Sequence, residues 1–184
     1  MSHPCPIFKN GVYSSRVAFN IRKHLLEKYN IRIRGKAFKT AVGRTVLEER
    51  AIWVPNLSTP DRFMVTLHEI GHLVVGWSSQ IHYAEFKAEK WALNFAKKVG
   101  FPAEELRRYE HRARGYILWW IASEYSEGMK VSAIKPNVKK WIKYDFKKWR
   151  KKKVWVNNYW HKTTGHVILQ GQYGRCKTEP IYFG

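Results

Sequence analysis

Two histidines and a glutamate in one short segment have the spacing of metal chemistry. His68 and His72 are four residues apart, and Glu69 directly follows the first histidine. On an α-helix, residues i and i+4 lie about 40° apart around the axis, so both imidazoles project from the same side. Two imidazoles placed in this way can each give one nitrogen to a tetrahedral zinc ion. The spacing therefore predicts a Zn²⁺ site with His68 and His72 as ligands.

The position of Glu69 predicts the chemistry of such a site. In H-E-x-x-H sites the glutamate faces the metal-bound water rather than the metal. Its carboxylate can take a proton from that water, because the metal lowers the pKa of the water toward ~7. The same carboxylate can then pass the proton to a leaving amine. We therefore expect a zinc metallopeptidase, an endopeptidase acting on a protein substrate, with Glu69 as its catalytic general base.

A catalytic zinc needs a third protein ligand and one open coordination position. The next predicted helix offers two candidates, Glu85 and Glu89, which fall on one face together with small residues. Helical periodicity alone does not choose between them. In the predicted loop before this helix, His82 and Tyr83 are candidates to stabilise an oxyanion during catalysis.

The elements that must position these residues can be predicted from periodicity and from start and stop signals. Thr59, Pro60 and Asp61 form a good helix start, and Gly76 is a stop, so the histidines lie on a helix ending at about Val75. Around it the patterns predict a helix at 16–29, a second helix at 84–99, and a small antiparallel sheet of strands at 31–34, 36–42, 44–48 and 50–54. A substrate strand would pair with the sheet edge formed by 50–54.

The second half of the chain is predicted to be helical and then to end in a hairpin. Helices are expected at 103–112, 115–126 and 136–151, and the two strands of the hairpin at 154–160 and 166–170. The fold class is therefore α+β. A minimal zincin-like domain (helix, small antiparallel sheet, motif helix, glutamate-bearing helix) would occupy 1–102, and a basic, Trp-rich region 103–184.

The segment 62–73 around the motif resembles the motif helix of the ImmA/IrrE-type metallopeptidases, and the likeness covers about residues 16–102. Their second helix reads E-x-E-A-N-x-F-A-x-x-L-L-x-P, and five residues here fall in register: Glu89, Ala92, Phe95, Ala96 and Pro102. The resemblance implies that Glu89 is the third zinc ligand, with Glu85 available to orient a histidine. It also implies a protein substrate of the kind that family cleaves, often a regulator bound to DNA. Trp91 and Leu93 depart from the pattern, at positions where the family has Glu and Asn.

Charge is the other feature that departs from an average protein. The chain has 34 Lys and Arg residues against 14 Asp and Glu, a net charge of +20. The segment 130–153 holds 11 basic residues and one acid, interleaved with aromatic residues. Such a pattern favours contact with nucleic acid, because cations neutralise phosphates. The predicted contact residues are Lys139, Lys140, Lys143, Lys147, Lys148, Arg150, Lys151, Lys152 and Lys153.

The charge also supports a second function: a basic nucleic-acid-binding or particle-associated protein whose zinc site is structural or vestigial. A side chain such as His166 or Cys176 closing the fourth coordination position would favour it. The longest uninterrupted apolar stretch, 116–122, is too short to span a membrane. The N-terminus lacks the pattern of a secretory signal, and two cysteines make no disulfide framework. A cytoplasmic location is therefore expected.

Overall fold

The structure, a computed structural model, describes residues 6–35, 43–144 and 146, and the strands at 154–160, 167–171 and 179–180. Its fold class is α+β, as predicted, with five α-helices and three small sheets in the described residues. The chain divides into two compact units. Unit 1 comprises 1–77 and 87–107, and unit 2 comprises 78–86 and 108–184. No helix in the described part combines the length and apolar character that a membrane span requires.

Unit 1 begins with a two-stranded hairpin that the sequence patterns did not predict. Strands β1 (Phe8–Lys9) and β2 (Val12–Tyr13) pair antiparallel around Asn10 and Gly11. Both turn residues have positive φ angles, 51° and 77°. Asn-Gly is the strongest short signal for a turn of this kind, so the hairpin was recognisable from the sequence.

Helix α1 (Ser15–Lys28) lies close to its predicted bounds. It begins after Ser14, whose side chain accepts a hydrogen bond from the backbone N–H of Val17 at 3.3 Å. Ala18, Ile21 and Leu25 form its buried face, and Asn30 follows its end with a φ of 50°. An asparagine tolerates this left-handed conformation better than most residues, so it ends the helix as predicted.

The small sheet of unit 1 is mixed, so the prediction of an antiparallel sheet was wrong. Strands β3 (Arg32–Ile33), β4 (Arg44–Val46) and β5 (Ala51–Trp53) are arranged in the order β3-β5-β4. Strand β5 runs antiparallel to β4 and parallel to β3, because the chain reverses direction once before β4 and again after it. The predicted strand at 36–42 lies outside the described residues.

The prediction that 50–54 forms a sheet edge was also wrong. Strand β5 is central, and the backbone groups on its two sides pair with β3 and β4. Alanine and isoleucine in β5 are fully buried, as expected for a central strand. In the described residues the edges of this sheet are β3 and β4.

Helix α2 (Pro60–Val75) carries the histidine motif and has the predicted bounds. The side chain of Thr59 accepts a hydrogen bond from the backbone N–H of Arg62, and Gly76 follows the helix with a φ of 74°. Phe63, Leu67 and Ile70 are fully buried and hold the helix against its core. Their spacing of three and four residues leaves the two histidines on a neighbouring face.

Helix α3 (Ile81–Lys98) begins three residues earlier than predicted. The carboxylate of Glu124 accepts a hydrogen bond from the backbone N–H of Ile81 at 2.5 Å and also contacts Nδ1 of His82. A carboxylate at a helix N-terminus satisfies backbone donors that the helix leaves unpaired. Because this cap comes from a residue 43 positions away, local patterns could not reveal it.

Lys87 of α3 fastens the end of α2. Its Nζ donates to the carbonyl oxygens of Val75, Gly76 and Trp77 at 3.2, 2.8 and 3.3 Å. The last carbonyl oxygens of an α-helix accept no hydrogen bond within the helix, and they form its negative end. An ammonium group placed there stabilises both the helix terminus and the loop that follows.

One long helix replaces two predicted ones. Helix α4 (Ala103–Ser126) continues through residues 113 and 114, so the predicted break between the helices 103–112 and 115–126 was wrong. Gly115 is buried within the helix, and a glycine costs only about 1 kcal/mol there, which packing on either side can offset. A 3₁₀ turn (Val131–Ala133) and helix α5 (Pro136–Ile142) follow.

Helix α5 ends at Ile142, nine residues before the predicted end, and Lys143 follows it with a φ of 57°. Val138, Trp141 and Ile142 are its buried residues. Residues 145 and 147–151 of the predicted helix lie outside the described residues. The predicted hairpin is confirmed by strands β6 (Val154–Trp160) and β7 (Val167–Gly171), with a short β8 (Glu179–Pro180) pairing to β7.

Gly71 sets the distance between α2 and α3. A Cβ added there would lie 2.9 Å from the carbonyl oxygen of Ala88 and 3.2 Å from its Cα. These are backbone atoms of α3, so they could move only with the helix. Glycine at this position permits a helix approach that no other residue allows.

We expect Gly71→Ala to destabilise the protein by up to about 2 kcal/mol. Alanine favours a helix by about 1 kcal/mol over glycine, but overpacking against backbone costs about 1–3 kcal/mol, and the gap between α2 and α3 must widen. Urea unfolding measures the change. Asn20→Ala, at an exposed position inside α1, is the control and should be neutral or stabilising. A Gly71→Ala protein as stable as this control would contradict the proposed contact.

Candidate metal centre

The two motif histidines converge on one point. The Nε2 atoms of His68 and His72 lie 3.1 Å apart, and the ring centroids 4.7 Å apart, on the same side of α2. His72 is 5% exposed, and the side chain of His68 is 13% exposed. The predicted side-by-side placement of the two imidazoles is thus present in the structure.

This separation suits two ligands of one zinc ion. Nitrogens bound at 2.0–2.1 Å to a tetrahedral ion lie ~3.3 Å apart, close to the distance between these two atoms. Two ring nitrogens facing each other must otherwise share a single proton, with one donating and one accepting. Imidazole and carboxylate are also the donor types that zinc takes in catalytic sites. The residues present therefore fit a zinc ion.

The two candidate glutamates of α3 occupy different places. His68, His72 and Glu85 each offer a ligand atom within 4.8 Å of the other two, and Glu85 is buried. Glu89 lies one turn later, and its Oε1 is 3.1 Å from Nδ1 of His68. It therefore contacts the ring nitrogen that does not face His72, in the position of a carboxylate that orients a metal-binding imidazole.

This arrangement differs from the ligand set that the family resemblance implied. The resemblance gave metal ligation to Glu89, whereas the cluster of possible ligand atoms contains Glu85. Both glutamates are kept as candidate ligands, since they lie one helical turn apart on α3.

The side chain of Glu69 is held in place by a residue of the sheet and not by one of helix α2. Its side chain is buried, and Oγ1 of Thr45 lies 2.6 Å from its Oε2 and 3.0 Å from its backbone oxygen. Thr45 is the middle residue of β4. A hydrogen bond from a hydroxyl to a charged carboxylate is among the stronger kinds in proteins, so it restrains where the carboxylate lies.

Gly43, just before β4, leaves free the space that the side chain of Glu69 occupies. A Cβ added to Gly43 would lie 2.5 Å from both Cγ and Oε1 of Glu69. Neither Gly43 nor Thr45 was among the predicted site residues. A glycine beside a strand does signal close approach of another group, but nothing in the sequence identifies Glu69, 26 residues away, as that group.

His82 and Tyr83 lie within the first turn of α3 rather than in a loop. His82 is fully buried, with its Nδ1 against the carboxylate of Glu124. Tyr83 is half-buried, stacks on Phe86, and has Nζ of Lys135 3.7 Å from its ring centroid. These contacts give both residues roles in packing unit 2. Their predicted part in stabilising an oxyanion stays a prediction.

Three of the predicted nucleic-acid-binding lysines lie on or directly after α5. Lys140 and Lys143 are exposed, and Lys139 is partly exposed. Trp141 is buried, donates from Nε1 to Glu110 at 2.9 Å and packs edge-on against Phe86, so it belongs to the core. The remaining predicted residues, Lys147, Lys148, Arg150, Lys151, Lys152 and Lys153, lie outside the described residues, as do His166 and Cys176.

This chain has no match among protein-family models, curated proteins or solved structures.

We expect Thr45→Val to lower the free energy of unfolding by about 1–3 kcal/mol. Valine has the shape of threonine but removes the donor to a buried carboxylate. Thr45→Ser keeps the hydroxyl and is the matched control. Urea denaturation of the three proteins measures the difference. Equal stability of the valine and serine variants would show that this hydrogen bond contributes nothing.

Proposed function

We propose that the chain is a zinc-dependent endopeptidase with a zincin-like arrangement. The observation that carries the proposal is the convergence of two imidazoles on α2 beside a glutamate whose carboxylate is fastened to the neighbouring sheet. The resemblance of residues 16–102 to the ImmA/IrrE-type metallopeptidases supports it. So does the element order: a helix, a small sheet, the motif helix and a glutamate-bearing helix.

In this proposal His68, His72 and Glu85 hold the zinc ion, and Glu89 orients the imidazole of His68. A bound zinc ion would supply Lewis acidity and lower the pKa of a water molecule toward ~7. The carboxylate of Glu69 would accept one proton from a water molecule at the site. It would give that proton to the leaving nitrogen as the water oxygen adds to the peptide carbonyl carbon and the C–N bond breaks.

Thr45 and Gly43 serve this chemistry by fixing the carboxylate of Glu69. A general base must lie within hydrogen-bond reach of the proton that it removes. The hydroxyl of Thr45 restrains one carboxylate oxygen, and the bare backbone of Gly43 leaves just enough room for the other. A carboxylate restrained by this hydrogen bond has fewer unproductive positions, which favours proton transfer.

The substrate would be a protein segment in extended conformation. Strand β4 lies at a sheet edge within the described residues and carries Thr45. Extended peptides commonly add to such an edge through backbone hydrogen bonds. This replaces the predicted docking at 50–54, which the pairing of β5 on both sides precludes. The net charge of +20 suits work near nucleic acid, for example on a DNA-binding regulator.

The alternative function is a basic nucleic-acid-binding or particle-associated protein with a structural or vestigial zinc site. Exposed Lys140 and Lys143 support it. The two functions differ in whether the bound metal keeps a position open for water.

Metal binding of Glu85 and Glu89 variants tests the ligand set. We expect about one zinc per wild-type chain. Glu89→Ala should weaken zinc binding about 10–100-fold, as loss of an orienting carboxylate does, and Glu85→Ala should weaken it more. The two variants are matched in residue type, helix and face. Competition with a chelator measures the affinities, with circular dichroism as the check on folding. The opposite ranking would make Glu89 the ligand, and a wild type without zinc would favour the alternative function.

Loss of hydrolysis in Glu69→Gln tests catalysis. We expect the zinc-loaded wild type to cleave members of a proteome-derived peptide library, with new N-termini read by mass spectrometry. Glu69→Gln should lower the rate about 10²–10⁴-fold, because the amide cannot accept the proton, while zinc stays bound. Glu104→Gln, exposed on α4, is the control. Undiminished cleavage in Glu69→Gln would refute the assigned role of this residue.

A further inference from the structure

A cavity of about 530 Å³ lies on the surface of unit 1, between the first two turns of α1 and the segment before α2. Seven residues line it: Ser15, Arg16, Phe19, Arg22, Asn56, Leu57 and Ser58. Cavities of this size accommodate small organic ligands or one unit of a polymer. We call it the α1 pocket. It shares no residue with the candidate metal centre.

The charged residues in the lining of the α1 pocket are both cations. Two of the seven residues are arginines, three carry hydroxyl or amide side chains, and none is acidic. Arg16 is exposed and Arg22 is half-buried. Burial lowers the pKa of the Arg22 guanidinium, with the nearby Tyr13 opposing the shift, but an arginine keeps its charge in proteins. A charge partly removed from water attracts an anion more strongly than an exposed one.

Phe19 gives the α1 pocket an aromatic platform. It is 51% exposed and does not belong to the buried face of α1, which Ala18, Ile21 and Leu25 form. The guanidinium carbon of Arg22 lies 5.1 Å from its ring centroid. Single exposed apolar residues are ordinary, but this ring lines a cavity together with two arginines.

A third guanidinium, that of Arg62, contacts the wall of the α1 pocket that residues 56–58 form. Nη1 of Arg62 donates to Oγ of Ser58 at 3.0 Å and contacts Oδ1 of Asn56. The two polar lining residues are thereby held in place, and a further positive charge lies behind them. The wall is built in advance of any ligand, which reduces the entropy lost on binding.

We propose that the α1 pocket binds one nucleotide unit of a single-stranded nucleic acid, with the base against Phe19 and the phosphate between Arg16 and Arg22. Arginine pairs with phosphate in two-pronged geometry, and aromatic faces stack on unpaired bases. A single strand is favoured over a duplex because only an unpaired base exposes its face to the ring. The net charge of +20 attracts any such strand to the protein.

Binding of a fluorescein-labelled thymidine pentamer to the full chain, followed by fluorescence anisotropy over a range of salt concentrations, tests the proposal. Phe19→Ala should weaken binding about 5–100-fold, the effect of losing one stacked base. Arg22→Gln and Arg16→Gln should each reduce the slope of log affinity against log salt by about 0.7, the value for one phosphate contact on a single strand.

Matched controls separate the pocket from general attraction. Lys23→Gln removes one charge from the same helix, next to Arg22 but outside the lining set, and Val12→Ala removes an exposed apolar side chain. Both should change the affinity by no more than about twofold, because exposed charges are screened by salt. Arg16 is exposed, so its variant keeps the test valid should Arg22→Gln disturb folding.

A local readout excludes the basic segment 139–153 as the source of the signal. A pentamer containing bromodeoxyuridine, cross-linked by ultraviolet light, should attach to the tryptic peptide 17–22, which contains Phe19. Cross-linking elsewhere alone, or equal losses in pocket and control variants, would overturn the proposal. Competition by thymidine monophosphate as strong as that by the pentamer would also overturn it, since the pocket would then take free nucleotides.

Discussion

The close approach of α2 and α3 at Gly71 is the constraint on which the candidate metal centre depends. Helix α2 carries both histidines, and α3 carries both candidate glutamates. The absence of a side chain at Gly71 brings the backbone of Ala88 within contact distance, and at that spacing Glu89 reaches His68 at 3.1 Å. Lys87, adjacent to Ala88, secures the connecting loop. Lys87, Ala88 and Glu89 of α3 thus hold the loop after α2, contact Gly71 and contact His68, in that order.

Local sequence signals correctly predicted the elements whose start and stop residues lie next to them in the chain. Helix α2 has a capping Thr59 and a terminating Gly76, and both predicted bounds were correct. Where a boundary depends on a distant residue, the prediction failed. Helix α3 starts early because Glu124 caps it, and α4 continues across the predicted break between 112 and 115. The direction of β3 was mispredicted, since strand pairing depends on order in the sheet, which alternation of side chains does not report.

The residues of the candidate site likewise include some that local sequence signals predict and some that they do not. The spacing of His68 and His72 implies their convergence, because the helix itself enforces it. Glu85 and Glu89 are also one turn apart, so the same periodicity makes them equivalent, and only the packing of α3 against α2 separates their contacts. Thr45 was not predictable at all, since its importance comes from a 2.6 Å contact across 24 residues of sequence.

The hydroxyl of Thr45 has one more consequence for β4. Strand β4 offers its edge in the described structure and also holds the carboxylate of Glu69, so a peptide added to that edge would be coupled to the position of the carboxylate. Thermodynamic reciprocity then applies: if an added strand shifts the carboxylate, any change in the carboxylate alters the affinity for that strand by the same factor. Binding of the added strand and acceptance of a proton by Glu69 would then be thermodynamically coupled.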